Sequence, residues 1–169
     1  MTSERRTLDN GEEQDLLRRN WYWHDARWYA SVAAEFGIEA ANRLNRANVR
    51  ALGRTEMRRL MKALRVDRAT NVAQALELFA AGQRLYVPTS LMDAEVYPAS
   101  DGSYEVRFQR CFVHENIVRA DIAGAYHCAV FDRIEGWHDA WELPLAQPLP
   151  ARTCALAAGQ ECRQRFTIR

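Results

Sequence analysis

The strongest constraint on the fold is a change of hydrophobic period at Pro88. Before it, apolar residues recur at three- and four-residue steps, the spacing that puts side chains on one face of a helix. After it, Val96, Tyr104, Val106, Phe108 and Phe112 supply the alternation of a half-buried strand. A chain that reads helical and then switches to strands is α+β. The expected architecture is about three N-terminal helices packed with a small antiparallel sheet, with one or two further helices in the C-terminal half.

With 169 residues, the default is a single domain spanning 1–169. A hydrophobic content of 48% is enough for a globular core and argues against disorder. Residues 1–13 are polar and expected to be flexible. Residues 14–87 form the helical half, and 88–169 the α+β half. The first twenty residues lack the apolar core of a signal peptide. No run approaches the ~20 apolar residues of a membrane span. A cytoplasmic protein without a membrane partner is expected. The net charge of +1 gives no general attraction to nucleic acid.

The first helix runs from about Glu12 to Phe36 and stops at Gly37. Leu17, Trp21, Asp25, Trp28, Val32 and Phe36 share one face, with Asp25 a carboxylate in an aromatic stripe. His24 sits at its edge, and Tyr22, Trp23 and Tyr29 surround it. Asp25 and His24 are candidate catalytic groups facing a pocket, and Trp21 and Trp28 candidate pocket walls. The bland alternative is a packing stripe with Asp25 tied to a partner. Three of the five tryptophans fall within Trp21–Trp28, more than one face easily buries, so a homodimer through this helix is expected.

A second helix runs from about Ile38 to Val66, bent at Gly53. Arg43, Arg50, Arg54, Arg58, Lys62 and Arg65 make a basic stripe, read as a solvated face because no aromatics are interleaved with it and no nucleic-acid motif accompanies it. Asp67 or Asn71 caps a third helix, Val72 to Arg84. Two strands, Leu91–Pro98 and Ser103–Phe112, flank the turn Ser100-Asp101-Gly102. Helices are expected over Glu115–Ala123 and Tyr126–Trp141, and a last hairpin over Ala151–Leu156 and Cys162–Ile168.

All four cysteines, Cys111, Cys128, Cys154 and Cys162, lie in the C-terminal half, with His114, His127 and His138. In a reducing compartment such a cluster reads as metal ligands or catalytic thiols before disulfides. No CxxC pair is present. The alternative is four inert, buried thiols.

The stretch from Cys128 through Cys154-Ala-Leu-Ala-Ala-Gly-Gln-Glu-Cys162 to Phe166-Thr-Ile resembles the end of vinyl-4-reductase-type small-molecule-binding domains. In phenol-sensing members, three cysteines at this spacing and one carboxylate hold zinc. The carboxylate position corresponds to Ala151 here, so the resemblance implies zinc on Cys128, Cys154 and Cys162, with Cys111, Asp132, His127 or water as the fourth ligand. A broader likeness covers about residues 16–168. Trp21-x-x-His24-Asp25-x-x-Trp28, Arg110-Cys111, Tyr126-His127-Cys128-x-x-Phe131-Asp132-Arg133-x-x-Gly136-Trp137 and the final cysteine hairpin together resemble an uncharacterised bacterial and archaeal family. That family is related to L-2-amino-thiazoline-4-carboxylate hydrolases.

Two functions follow. One is a zinc-containing protein that binds an unidentified small molecule in a pocket walled by Trp21, Trp28, Tyr126 and Trp137. The other is a hydrolase of a C–N bond in a heterocycle or amide. It would use a metal-bound water or a Cys111 or Cys128 thiolate, with Asp25, His24 or Asp132 as acid, base or orienting group.

Overall fold

A computed structural model describes residues 6–169. Residues 1–5, part of the segment expected to be flexible, lie outside the described residues. Helix α1 (Asn10–Phe36) starts earlier than its apolar pattern suggests, because Asp9 and Glu12 cap each other reciprocally across the first turn. It ends at Gly37, whose φ of 83° favours glycine, and the chain turns directly into α2 (Ile38–Leu64). Asn71 caps α3 (Val72–Tyr86) by accepting from the Gln74 amide.

Strands β1 (Met92–Pro98) and β2 (Tyr104–Cys111) form an antiparallel hairpin around the Asp101-Gly102 turn. Helices α4 (Phe112–Arg119) and α5 (Val130–Trp141) follow, and β3 (Cys162–Phe166) completes a sheet of order β1-β2-β3. The fold is therefore α+β, with three N-terminal helices and a small antiparallel sheet.

Two expectations about these elements change. α5 begins at Val130, not Tyr126, because the amides of the preceding residues are taken elsewhere: His127 N–H by Asn42 Oδ1 and Cys128 N–H by the Arg152 carbonyl. The last cysteine hairpin does not form. Residues 154–160 close a single turn around Gly159, and β3 pairs with β2 instead.

At Gly53, the expected place of a bend, α2 runs on without a break in its helical span. Gly53 and Gly136 instead allow α2 and α5 to cross backbone to backbone. A Cβ on Gly53 would overlap the Arg133 carbonyl, and one on Gly136 the Arg50 carbonyl. Ion pairs flank this crossing. Arg46 holds Asp132 at 2.9 Å, and Arg50 holds Asp139 at 2.9 Å and Glu135 at 3.5 Å. Part of the basic stripe is thus tied to α5 and is not simply solvated.

The inner sheet face carries Tyr104, Val106 and Phe108, all buried, against Phe79 of α3 and Phe131, Trp137 and His138 of α5. His138 lies nearly parallel to the Tyr104 and Phe166 rings, with centroids 5.7 and 5.6 Å away, and meets Trp141 edge to face at 4.8 Å. Its Nε2 accepts from the Tyr104 hydroxyl at 2.6 Å, and its Nδ1–H donates to the Leu143 carbonyl at 3.0 Å. Burial holds its pKa down at about 4. In the unfolded chain the ring titrates near ~6.5, so below that pH the unfolded state takes up a proton that the native state refuses. Stability should fall by about 3 kcal/mol as the pH drops from about 6.5 to about 4. His138→Gln should flatten this dependence in urea titrations at several pH values, and an unchanged slope would contradict the assignment.

Candidate functional site

The site is a cavity of about 380 Å³ between α1, α2, α4 and the loop leading into α5. Its walls come from a second face of α1. Tyr22, Ala26, Tyr29 and Ala33 recur at helical spacing and pack inward, with Tyr22, Asp25, Ala26 and Tyr29 lining the space. Val49 of α2, Phe112 and Ile117 of α4, Tyr126, and Val130 close it. Tyr22 and Trp23 meet Phe112 edge to face, with ring centroids 5.7 and 5.0 Å apart.

Asn42 fixes the loop that brings Tyr126 into the wall. Its Oδ1 accepts from the Tyr29 hydroxyl at 2.8 Å and from the His127 amide at 2.9 Å, and its Nδ2 donates to the Ala125 carbonyl at 2.8 Å. One buried amide therefore joins α1, α2 and the loop.

Behind the cavity lies a buried ion pair. Arg133 holds Glu56 at 2.6 Å and donates to the Tyr22 hydroxyl at 2.7 Å, while Trp137 Nε1 donates to Glu56 at 3.4 Å. The carboxylate and phenol oxygen keep Arg133 charged despite burial, raising its pKa. A second void of about 40 Å³ shares the Tyr22, Met92, Val130 and Arg133 wall and reaches Trp137.

Two polar groups at the cavity lack a hydrogen-bond partner among the described residues, one sealed beneath its wall and one on its surface. Asn45 Oδ1 is buried without a hydrogen-bond partner among the described residues. Asp25 is half-buried, and burial raises its pKa against the opposing charges of Arg133 and His24. No hydrogen bond among the described residues offsets that burial.

The expected site residues divide accordingly. Asp25 and Tyr126 line the cavity, and Trp137 lines the neighbouring void. Trp21, Trp28 and His24 do not. Trp21 and Trp28 are 53% and 39% exposed, and Trp21 stacks on His24 outside the cavity. Leu17 and Phe36, 71% and 69% exposed, continue the same outer stripe. The periodic face is real, but much of it points away from the core, because α1 carries apolar residues on both sides. Asp132 is also removed from the cavity, its carboxylate occupied by Arg46. Asn42, Asn45 and Glu56, which position or line the site, carry no motif. Their one sequence signal is polarity on the inward side of α2.

The four cysteines are free thiols that lie within one another's electrostatic reach. Burial pushes Cys111 up to about 12 and Cys128 up to about 11, and raises Cys162. Cys154 Sγ lies 3.7 Å from His114 Nδ1. Among the described residues, however, no three His, Cys, Asp or Glu side chains are gathered as a set that could hold a metal ion. His127 is exposed, and Asp132 is committed to Arg46. The donor chemistry suits zinc, but the donors are not drawn together around one point.

These features define a small α+β protein with a partly enclosed, aromatic-walled cavity and a thiol cluster. The chain matches the Family of unknown function (DUF6125) over residues 12–137 and belongs to that family. No curated protein and no solved structure matches it. Every residue lining the cavity falls within the matched span, whereas Cys154 and Cys162 lie beyond it. No helix among the described residues is long and apolar enough to cross a membrane.

Proposed function

We propose that the protein binds an apolar small molecule in the cavity between α1, α2 and α4. The observation that carries this reading is a partly enclosed space of about 380 Å³ whose apolar and aromatic walls also hold a carboxylate, Asp25, without a hydrogen-bond partner among the described residues. Ligand sites commonly combine an apolar lining with a few placed polar groups. The neutral fluorophore N-phenyl-1-naphthylamine should bind at one per chain with enhanced emission. Val49→Trp should fill the cavity and weaken binding about tenfold or more, with the far-ultraviolet spectrum of the parent retained. Equal binding by parent and variant would contradict the reading.

A zinc ion on the thiol cluster is a second reading, supported by the shared neighbourhood of Cys111, Cys128, Cys154 and Cys162. Closure around a metal would require these side chains to move together. A cysteine hydrolase has less support, since burial holds Cys111 and Cys128 in the protonated, weakly nucleophilic form. Among the described residues the sulfur–imidazole contact involves neither of them, joining Cys154 to His114.

A homodimer is proposed through the outer stripe of Leu17, Trp21, Trp28 and Phe36. Native mass spectrometry reads both metal and dimer: a zinc-bearing dimer is expected, and a bare monomer would contradict both.

A further inference from the structure

The cavity's polar groups indicate what kind of molecule it takes, an argument that rests on the proposed binding function. Asp25 lines the cavity as an acceptor and has no hydrogen-bond partner among the described residues. A carboxylate half-buried against apolar walls is costly unless a cation or donor meets it. The protein cation that acts most strongly on Asp25 is already committed. Arg133 spends its guanidinium on Glu56, on the Tyr22 hydroxyl and on the Tyr86 carbonyl. Asn116 likewise donates its amide to the Phe112 carbonyl. Arg27 is exposed and lies at the solvent side of the cavity, where its charge is screened. The inner part of the cavity therefore offers a carboxylate and aromatic rings.

Aromatic faces attract cations through the ring quadrupole. Tyr22, Trp23, Tyr29, Phe112 and Tyr126 bring five such rings to the lining. An anionic ligand would face Asp25 without a free inward cation. A neutral hydrocarbon would leave Asp25 without a partner.

We infer that the ligand is a ring-bearing apolar molecule with one protonated amine, the amine seated against Asp25 and the ring among the aromatic walls. Asp25 then supplies the charge-assisted hydrogen bond, and the aromatic walls both packing and cation attraction.

The test uses three probes of similar shape and different charge: tryptamine, 3-ethylindole and indole-3-propionate. Each displaces N-phenyl-1-naphthylamine from the full chain. Tryptamine is expected to bind about tenfold or more tightly than either of the others. Asp25→Asn keeps the side-chain shape and removes the charge, and it should bring tryptamine down to the level of 3-ethylindole. The inference is overturned if 3-ethylindole or indole-3-propionate matches tryptamine on the parent protein. It is also overturned if Asp25→Asn keeps the tryptamine preference. The parent series decides the question even if the variant folds poorly. Failure of the fluorophore itself to bind would remove the binding function and this inference together, whereas fluorophore binding with a flat charge series removes the inference alone.

Discussion

Gly136→Val is expected to remove a large share of the fold's stability. The added Cβ would lie on the Arg50 carbonyl and against the Arg54 amide, both backbone atoms that cannot rotate away. α2 cannot slide to make room, because Gly53 on the other side is equally close to the Arg133 carbonyl. The helices would have to separate, opening the contacts of Trp137, Phe131 and Ile134 with the rest of the core. Overpacking of side chains costs roughly 1–3 kcal/mol. Backbone overlap at a helix crossing should cost about 4 kcal/mol or more, against a typical total of about 5–15. Urea unfolding followed by circular dichroism measures the loss. A Gly136→Val protein within about 1 kcal/mol of the parent would mean the helices do not cross this closely.

Glu56→Ala is expected to cost about 3–5 kcal/mol, because it strands the buried Arg133 without a counter-charge. Trp137 Nε1 loses its acceptor in the same step. The effect belongs to the broken pair more than to the glutamate alone. Replacing both partners by apolar residues, Glu56→Leu with Arg133→Met, should therefore recover much of the loss. A double-mutant cycle isolates the coupling. If the double variant is as unstable as the sum of the single variants, the charge pair is not the cause. The same network positions Tyr22, so Glu56→Ala should also weaken binding of the fluorophore.

The fold was legible where local chemistry decides it. Gly37 separates α1 from α2, Asn71 caps α3, and Asp101-Gly102 turns β1 into β2. These signals need only neighbouring residues. The last hairpin misled because strand pairing is a long-range choice. Cys162–Phe166 finds a partner in Tyr104–Phe108, while the Arg152 carbonyl bonds the Cys128 amide. The aromatic stripe on α1 misled differently. Helical spacing groups residues on one face but does not say which face meets the core when both are apolar. Tyr22, Ala26, Tyr29 and Ala33 turn inward, and Trp21 and Trp28 outward.

Asp25 and Asp132 looked alike in the sequence, each a carboxylate amid apolar residues on a helix. Their roles separate only through distant partners. Arg46 reaches Asp132, while Asp25 is left facing the cavity. The cysteine cluster was legible as a neighbourhood, but spacing in the chain does not draw the thiols to a common point.

The central claim is that the cavity, rather than the exposed apolar stripe of α1, receives the ligand. Methyl chemical-shift mapping of the parent protein during titration with N-phenyl-1-naphthylamine tests it most directly. Val49, Val113, Ile117, Ile122 and Val130 all line the cavity and should shift together. Leu17, on the outer stripe, should not. Saturable shifts confined to the cavity methyls are the predicted result. Shifts centred on Leu17, with Val49 and Ile117 unmoved, would contradict the account.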